Sequence, residues 1–451
     1  MNMKKLFKLL LIVLFAITLN NSKEVISAPG DTTWVTACTQ LFHNWPDLHY
    51  FNVNLPDTNT HYQKILMKYT IGCPAAGCDP WDRLGWIKLY VDTVNHIDYE
   101  IGRVITPYNI VGGGYPGTCT FIIDVTDYMP LLHDNVLLGS YIETWINGTR
   151  GWLVTLKFAY IEGEAYYKPF KVINLWQDHH VVYGDSINPP TNHITPKNIF
   201  IDAGTDVVKS RITTTGHGQG NTLNAAEFSP RIHSIVAGND SVYHNLWRSD
   251  CYINPCSPQG GTWTYSRAGW CPGAAVIPWI VDLTQWVTPG QSQVFRYSFQ
   301  EYINECSPNN PNCTTGVTCA DCNYNGNGHT EPHYTLEGQL ILYKINPIGI
   351  KDPGTEVVNG FRLEQNYPNP FNPKTSIKYV LAKSSHVKIA VFDVTGKEIT
   401  VLVDKYMING EYSVEFDATN LPSGIYYYQM EVIETTRRVV FTDSKKMVLI
   451  K

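Results

Sequence analysis

After its first 28 residues the chain shows almost no helical periodicity. Short runs of β-branched and aromatic residues recur instead: KILMKYTI from Lys64, WIKLYV from Trp86, WLVTLKFAYI from Trp152, RIHSIVA from Arg231 and LEGQLILYKI from Leu336. Several alternate apolar with polar residues, the pattern of antiparallel strands with one wet face. Clusters of Gly, Pro, Asn and Asp punctuate them. So many short strands with no helices between them exclude α/β architectures and predict an all-β protein built of sandwiches of the jelly-roll or immunoglobulin type. A chain of 451 residues holds several such units.

Lys4, Lys5 and Lys8 precede an apolar run from Leu9 to Leu19. That run is too short to cross a bilayer and fits a secretory signal over residues 1–28. In an oxidising compartment most of the 11 cysteines should pair, and the odd number leaves one over. Cys38, Cys119 and Cys256 have no obvious partners. Four more, Cys306, Cys313, Cys319 and Cys322, lie in a long loop that needs staples to be ordered. Two disulfides are expected there. Zinc on Cys319, Cys322, His329 and His333 is the alternative.

Compositional breaks fall near Glu162–Pro169 and at the Gly- and Pro-rich stretch from Asn346 to Gly360. They predict a first sandwich over 29–163, a second over 164–346, a linker over 347–360 and a last unit over 361–451. The last unit carries NYPNPFNPKTSIKYVL, VFDVTGKEI and LPSGIYYYQM. It resembles the C-terminal sorting domain of type IX secretion cargo, an immunoglobulin-like sandwich. The resemblance implies export through that machinery to the cell surface or medium.

The net charge of −6 favours neither nucleic acid nor a membrane surface as partner. The 28 Tyr and 12 Trp favour ligands with apolar faces and polar rims, sugars above all. The stretch CDPWDR, Cys78–Arg83, follows Cys73 by a Pro-Gly loop. No further ligands follow at zinc-finger spacing, so a Cys73–Cys78 clip is expected, stabilising by roughly 2 kcal/mol. It would fix the loop that presents Asp79, Trp81, Asp82 and Arg83. Carboxylates recur beside aromatic rings at Glu143 with Trp145 and at Glu227 with Phe228, and Arg267 and Trp270 sit beside Cys271. A hydrolase needs such a set: one acid to activate water or attack, another to hold water or protonate the leaving group, and an arginine for the developing negative charge.

Taken in order, CDPWDR, YEIGRVITPY, ETW, the Glu227 segment and RAGWCPG resemble the peptide-N-glycosidase F family, from about Asp31 to about Asn346. The resemblance implies two adjacent jelly rolls with the site between them, and hydrolysis of the amide joining asparagine to the first N-acetylglucosamine of an N-glycan. Asparagine becomes aspartate, and the glycosylamine leaves. It implies that Asp82 is the principal catalytic acid, that Glu227 supports it, and that Glu143 is a third acid. Asp79, Trp81, Arg83, Ile105, Trp145, Arg267 and Trp270 fall on positions that line the cleft. Cys251 and Cys271 are expected to be bridged. The implied partners are N-glycosylated proteins or glycopeptides carrying a chitobiose core; no metal or cofactor is implied, and a monomer is expected.

The chain departs from the family's pattern at Ala225 and Ser229, where the family has two bonded cysteines, and at Thr215, where it has a tryptophan. A looser Glu227 loop and an altered sugar preference are the expected consequences. Two rival functions stay open. A copper monooxygenase on a similar core would draw on His179, His180, His217, His329 and His333, though no His-x-His ligand pair occurs. A glycan-binding module without catalysis would keep the tryptophans and dispense with the acids.

Overall fold

A computed structural model describes residues 30–108, 114–307, 309, 322, 330–346, 361–381, 385–407, 410–433 and 439–450. The signal expected over 1–28, the linker 347–360, Cys313, Cys319 and His329 lie outside the described residues. Apart from four single-turn 3-10 segments, the described regular structure is β-strand.

The chain forms β1 (Thr32–His43), β2 (His49–Asn54), β3 (Tyr62–Gly72), β4 (Leu84–Asp92), β5 (Ile97–Ile105), β6 (Thr118–Asp124), β7 (Asn135–Ile142) and β8 (Trp152–Glu162). They make two facing sheets, one in the order β1-β8-β3-β6 and one with the core order β5-β4-β7-β2. Along β3, Ile65, Met67, Tyr69 and Ile71 are all buried, with more exposed residues between them. This is the period-2 pattern that turns one face into a core. Gly102 on β5 lies where a Cβ would meet the methyl of Met67 at 2.5 Å, so the side chains of Met67 and Ile123 fill the space above it.

A second sandwich follows: β9 (Tyr167–Val182), β10 (Lys197–Phe200), β11 (Val207–His217), β12 (Arg231–Ala237), β13 (Asp240–Leu246), β14 (Ala274–Ala275), β15 (Trp279–Asp282), β16 (Ser292–Phe299) and β17 (His333–Ile345). Its sheets run β15-β11-β17-β9 and β10-β16-β12-β13. Leu336, Leu340 and Leu342 of β17, with Ile235 and Phe295, fill the space between them.

The two sandwiches are joined by more than the turn between β8 and β9. The short β14 leaves the second and pairs with β5 of the first, Ala274 opposite Ile105 and Ala275 opposite Val104. A Cys119–Cys256 disulfide spans them across 137 residues of sequence. Val172, Val207, Ile341 and Tyr343 of the second sandwich pack into the core of the first. A row of buried polar bonds completes the seam: Tyr99 donates to Val172 O, Tyr128 to Gln339, and Arg211 pairs with Asp127.

The last unit is separate. It comprises β18 (Arg362–Leu363), β19 (Lys374–Leu381), β20 (Ser385–Phe392), β21 (Glu398–Met407), β22 (Gly410–Asp417), β23 (Gly424–Ile433) and β24 (Val439–Leu449). Sheets β18-β19-β22 and β21-β20-β23-β24 enclose their own core. Within the proline-rich motif, Asn366 is buried and its amide donates to Pro368 O and Thr375 Oγ1. Phe371 fills the core, and its N–H reaches Val448 O. The motif is therefore a structural plug ahead of β19, where missing proline N–H groups cost no ladder bonds.

Candidate active site

The CDPWDR loop leaves β3 and enters β4. Cys73 and Cys78 are bridged, as expected from their spacing. The bridge sets up Asp79, whose side chain is fully buried. One Asp79 oxygen accepts the Trp81 N–H at 3.0 Å; the other accepts Arg83 Nε at 2.9 Å and Thr144 Oγ1 at 2.5 Å. On the other side Thr106, just past β5, accepts the Arg83 N–H at 2.7 Å and donates to Trp81 O at 3.2 Å. Asp82 thus lies between two clamped neighbours, with its own carboxylate turned toward the seam and 15 % exposed.

Glu227 comes from the second sandwich, on the loop between β11 and β12. Leu223, Asn224 and Ala226 in this loop have φ of 58°, 55° and 68°, a left-handed conformation uncommon outside glycine. Gly216 makes the fold of this loop possible, because any Cβ there would overlap Ala226 O. Where the family's bonded cysteines would be, Ala225 is fully buried and hydrogen bonds hold the loop. Tyr302 donates to Thr222 O at 2.8 Å, the Glu305 N–H donates to Thr222 Oγ1 at 2.9 Å, and Ala268 N–H reaches Glu227 O at 2.9 Å. The neighbouring Cys306 is bridged to Cys322. The Glu227 carboxylate accepts the Gly218 N–H at 3.3 Å and is 17 % exposed.

Arg267 brings the two acids together. Its side chain is 2 % exposed, and the guanidinium lies 3.9 Å from Asp82 Oδ2 and 3.5 Å from Glu227 Oε1. The terminal nitrogens donate to Thr262 O, Tyr265 O and Thr262 Oγ1, each at 3.0 Å. The Nε–H makes no hydrogen bond, so the contact with Glu227 is an ion pair without hydrogen-bond alignment. The rings of Trp270 and Phe228 cover the guanidinium at 4.8 and 5.1 Å.

These surroundings shift both acids. Loss of hydration pushes the Glu227 carboxyl up to about 8; Arg267 opposes the shift and the Asp82 charge adds to it. Asp82 is also raised, by the same desolvation, with Arg267 pulling back. Burial thus keeps the proton on Glu227 at neutral pH, beside a second carboxyl whose hold on a proton is also raised. Acid–base hydrolysis needs one carboxyl of such a pair protonated and the other ionised.

Glu143 follows β7, and its N–H donates to Leu84 O at 2.8 Å. Burial raises its carboxyl, opposed by the nearby charges of Arg83 and His180. Trp81 and Trp145 are 49 % and 53 % exposed and stand as free ring faces, each steadied edge-on by one partner, Tyr108 and Trp45. Ile105 and Trp270, in contrast, are buried with Leu84 and Trp86. Trp270 also donates to Gly216 O at 2.7 Å. They support the cleft from beneath, as Asp79 does. Tyr108 is a site residue that sequence reasoning did not single out. It faces Trp81, and the charges of Asp82 and Glu227 help raise its hydroxyl after burial. Its only signal was its place at the end of VITPY.

Cys251 and Cys271 are bridged as expected. Cys38 is the free thiol among the described cysteines. Thr215 is fully buried, accepting Arg103 Nη1 at 3.2 Å, and cannot stack on a ligand. Of the histidines weighed for copper, His179, His180, His217 and His333 do converge, lining one cavity. Among the described residues no three His, Cys, Asp or Glu side chains are grouped to hold a metal ion.

Comparison with known proteins adds to this geometry. Residues 188–317 match the family described as peptide-N-glycosidase F, C terminal, and residues 365–442 match the secretion system C-terminal sorting domain. The chain is 33% identical over 257 residues to peptide-N(4)-(N-acetyl-beta-D-glucosaminyl)asparagine amidase F of Elizabethkingia miricola, covering 55% of this chain and 71% of that one. A solved structure of PNGase F, a glycosylasparaginase from Flavobacterium meningosepticum, superimposes with a TM-score of 0.57 at 27% identity, over 71% of this chain and 98% of that one. PNGF-II, at 15% identity and a TM-score of 0.51 over 69% of this chain and 65% of its own, shares the fold.

Proposed function

Because this chain belongs to the peptide-N-glycosidase F family, we propose that Asp82, Glu227 and Arg267 are the centre at which it acts. The protein is a glycoamidase: it hydrolyses the asparagine side-chain amide of N-glycoproteins, releasing the glycan and leaving aspartate. The sorting domain directs it to the cell surface or beyond. A secretory signal over 1–28, sandwich limits at 29–163 and 164–346, a linker at 347–360 and a monomeric state complete the proposal.

One observation carries the assignment. A single buried guanidinium lies within 4 Å of two carboxylates that come from different sandwiches. In the proposed reaction the ionised Asp82 draws a proton from water as the water oxygen attacks the amide carbon. The C–O bond forms, the carbonyl oxygen takes the negative charge, and Arg267 offers its unpaired Nε–H and net charge in a nearly dry site. Collapse breaks the C–N bond. The leaving glycosylamine nitrogen takes its proton from Glu227, and the proton on Asp82 returns the pair to its resting state. Trp81 and Trp145 supply ring faces for the two sugars of the core, with Glu143 and Arg83 on their hydroxyls.

Mass spectrometry of a treated glycopeptide tests the reading. Conversion of asparagine to aspartate with loss of the whole glycan is expected. A residual N-acetylglucosamine on the peptide, or undiminished activity of Asp82→Asn, would overturn it.

A further inference from the structure

The loop that carries Glu227 contains no cysteine of its own, yet three of its non-glycine residues hold left-handed φ. Such conformations persist only where the surroundings over-determine them. The holding groups come from the two ends of the cysteine-rich loop that separates β16 from β17. From the near end, the Tyr302 hydroxyl donates to Thr222 O at 2.8 Å, and the Glu305 N–H donates to Thr222 Oγ1 at 2.9 Å. The Thr222 hydroxyl in turn lies 3.7 Å from Cys306 Sγ. Cys306 is bridged to Cys322 and carries no S–H, so the hydroxyl is the donor. From the far end, the Thr330 N–H donates to Gln219 O at 2.8 Å, and Thr330 Oγ1 accepts the Gln219 N–H at 2.9 Å. Gly218, whose N–H reaches Glu227, has no room for a side chain against Glu331 O.

The near end is itself fixed. Tyr302 stacks on Tyr183 with centroids 4.8 Å apart, Arg231 lies over its ring at 5.0 Å, and the Asn304 N–H donates to Gly184 O at 2.9 Å. Cys306 and Cys322 are both buried. Thr222 takes three contacts from this anchored segment and stands five positions before Glu227. Bonds run on from there: the Asn224 N–H reaches Asn221 O at 2.9 Å, and the Phe228 N–H reaches Asn224 O at 3.1 Å. A shift at Thr222 is thereby passed to the residue beside the acid.

We infer that Thr222 is a positioning residue for Glu227, and that the Cys306–Cys322 bridge acts through it to hold the acid in its nearly dry place beside Arg267. The inference rests on the glycoamidase reading. The charged groups that face Glu227 are Arg267 and Asp82, with Tyr108 a further titratable one. Changes at Thr222, Tyr302 or the bridge touch none of these and remove no charge. A changed hold of Glu227 on its proton in such variants therefore reports its hydration.

The test measures kcat and KM of the full-length protein on one glycopeptide, across the alkaline limb of its activity. Thr222→Val keeps the shape and loses the hydroxyl. It should lower kcat by about tenfold or more, as a small misplacement of a reacting group does, with KM little changed. Water admitted to Glu227 should also move the limb to lower pH. Thr222→Ser should restore both. Cys306→Ser with Cys322→Ser should shift both in the direction of the valine variant, but by less, because the Glu305 bond to Thr222 remains. Thermal unfolding checks each protein. Should Thr222→Val not fold, Tyr302→Phe takes its place, since it removes the bond to Thr222 O and keeps the ring stack. An unmoved limb in that variant or in the cysteine variant overturns the inference even where kcat falls, because lost stability alone leaves the Glu227 proton as it was. So does a serine variant as impaired as the valine one. If the wild type converts no asparagine, the glycoamidase reading fails instead. Difference infrared spectroscopy against Glu227→Gln then still follows the Glu227 proton in wild type and variant, and identical titrations there overturn the inference.

Discussion

Two buried arginines at the seam between the sandwiches do opposite things. Arg103 and Arg267 are each 1% exposed, and each faces carboxylates. Arg103 grips Glu100 with two bonds of 2.7 and 2.8 Å, and its third nitrogen donates to Thr335 O at 2.7 Å and Thr215 Oγ1 at 3.2 Å. Its fork is full, and it ties β5 to β11 and β17. Arg267 anchors its two terminal nitrogens on its own loop and leaves Nε without a hydrogen bond; Asp82 lies 3.9 Å from Nη2 and Glu227 3.5 Å from Nε. A satisfied ion pair is architecture; an unsatisfied one is free to stabilise charge that appears only during reaction. The first holds still the strand from which the second site's Gly218 extends.

Substitutions can break this contrast. The largest effect should come from Asp82→Asn, which removes the base while keeping its shape. Glycopeptide hydrolysis should fall by about 10⁴-fold, with the thermal midpoint unchanged in a scan of the purified protein. Arg103→Met should do the reverse. It leaves Glu100 buried and unpaired, at a cost of about 3–5 kcal/mol, read as a lower midpoint in urea unfolding. Whatever folds should keep the wild-type pH profile.

Glu227→Gln should lower kcat by about 10²–10³-fold. Wild-type activity should decline as pH rises through about 8, where Glu227 loses its proton, and the variant should lack that limb. The sign for stability follows from the same raised value. Between the ordinary glutamate pKa and about 8 the unfolded chain has released a proton that the folded protein still holds, so this group's stabilisation fades as pH rises across that window. The thermal midpoint of the variant should therefore gain on wild type from pH 5 to pH 8 and then level off. The smallest effect should come from replacing Cys73 and Cys78 by serine. The lost bridge costs about 2 kcal/mol, and activity should drop further because Asp79 then holds Trp81 and Arg83 less firmly. An unchanged KM in that variant would mean that the clip does not tune the cleft.

Much of this was legible in the chain, for physical reasons that can be named. A period of two in KILMKYTI is local, and it became β3 with alternate residues buried. Cys73 and Cys78 sit close enough in sequence that their pairing needed no fold. The acids could be nominated because each stands beside an aromatic ring. Other features were not legible. Cys119 and Cys256 meet across 137 residues, and nothing local distinguishes them from Cys38. Asp79, Ile105 and Trp270 read as cleft residues and prove to be buried, which their places in the motifs did not report. Thr106 and Thr144, which clamp the Asp82 loop, are ordinary threonines until two strand ends bring them to it. The Glu227 loop, read as loosened by Ala225 and Ser229, is held by a tyrosine some eighty positions on.

By itself the sequence determined the class of the fold, the clip, the sorting tail and the types of side chain available for chemistry, since each rests on neighbours along the chain. Only the tertiary structure decided that Asp82 and Glu227, 145 positions apart and on separate sandwiches, share one guanidinium. It alone decided that four scattered histidines wall one cavity beside them. Desolvation, the cause of the raised carboxyls, belongs to the packed seam and to no segment of the chain.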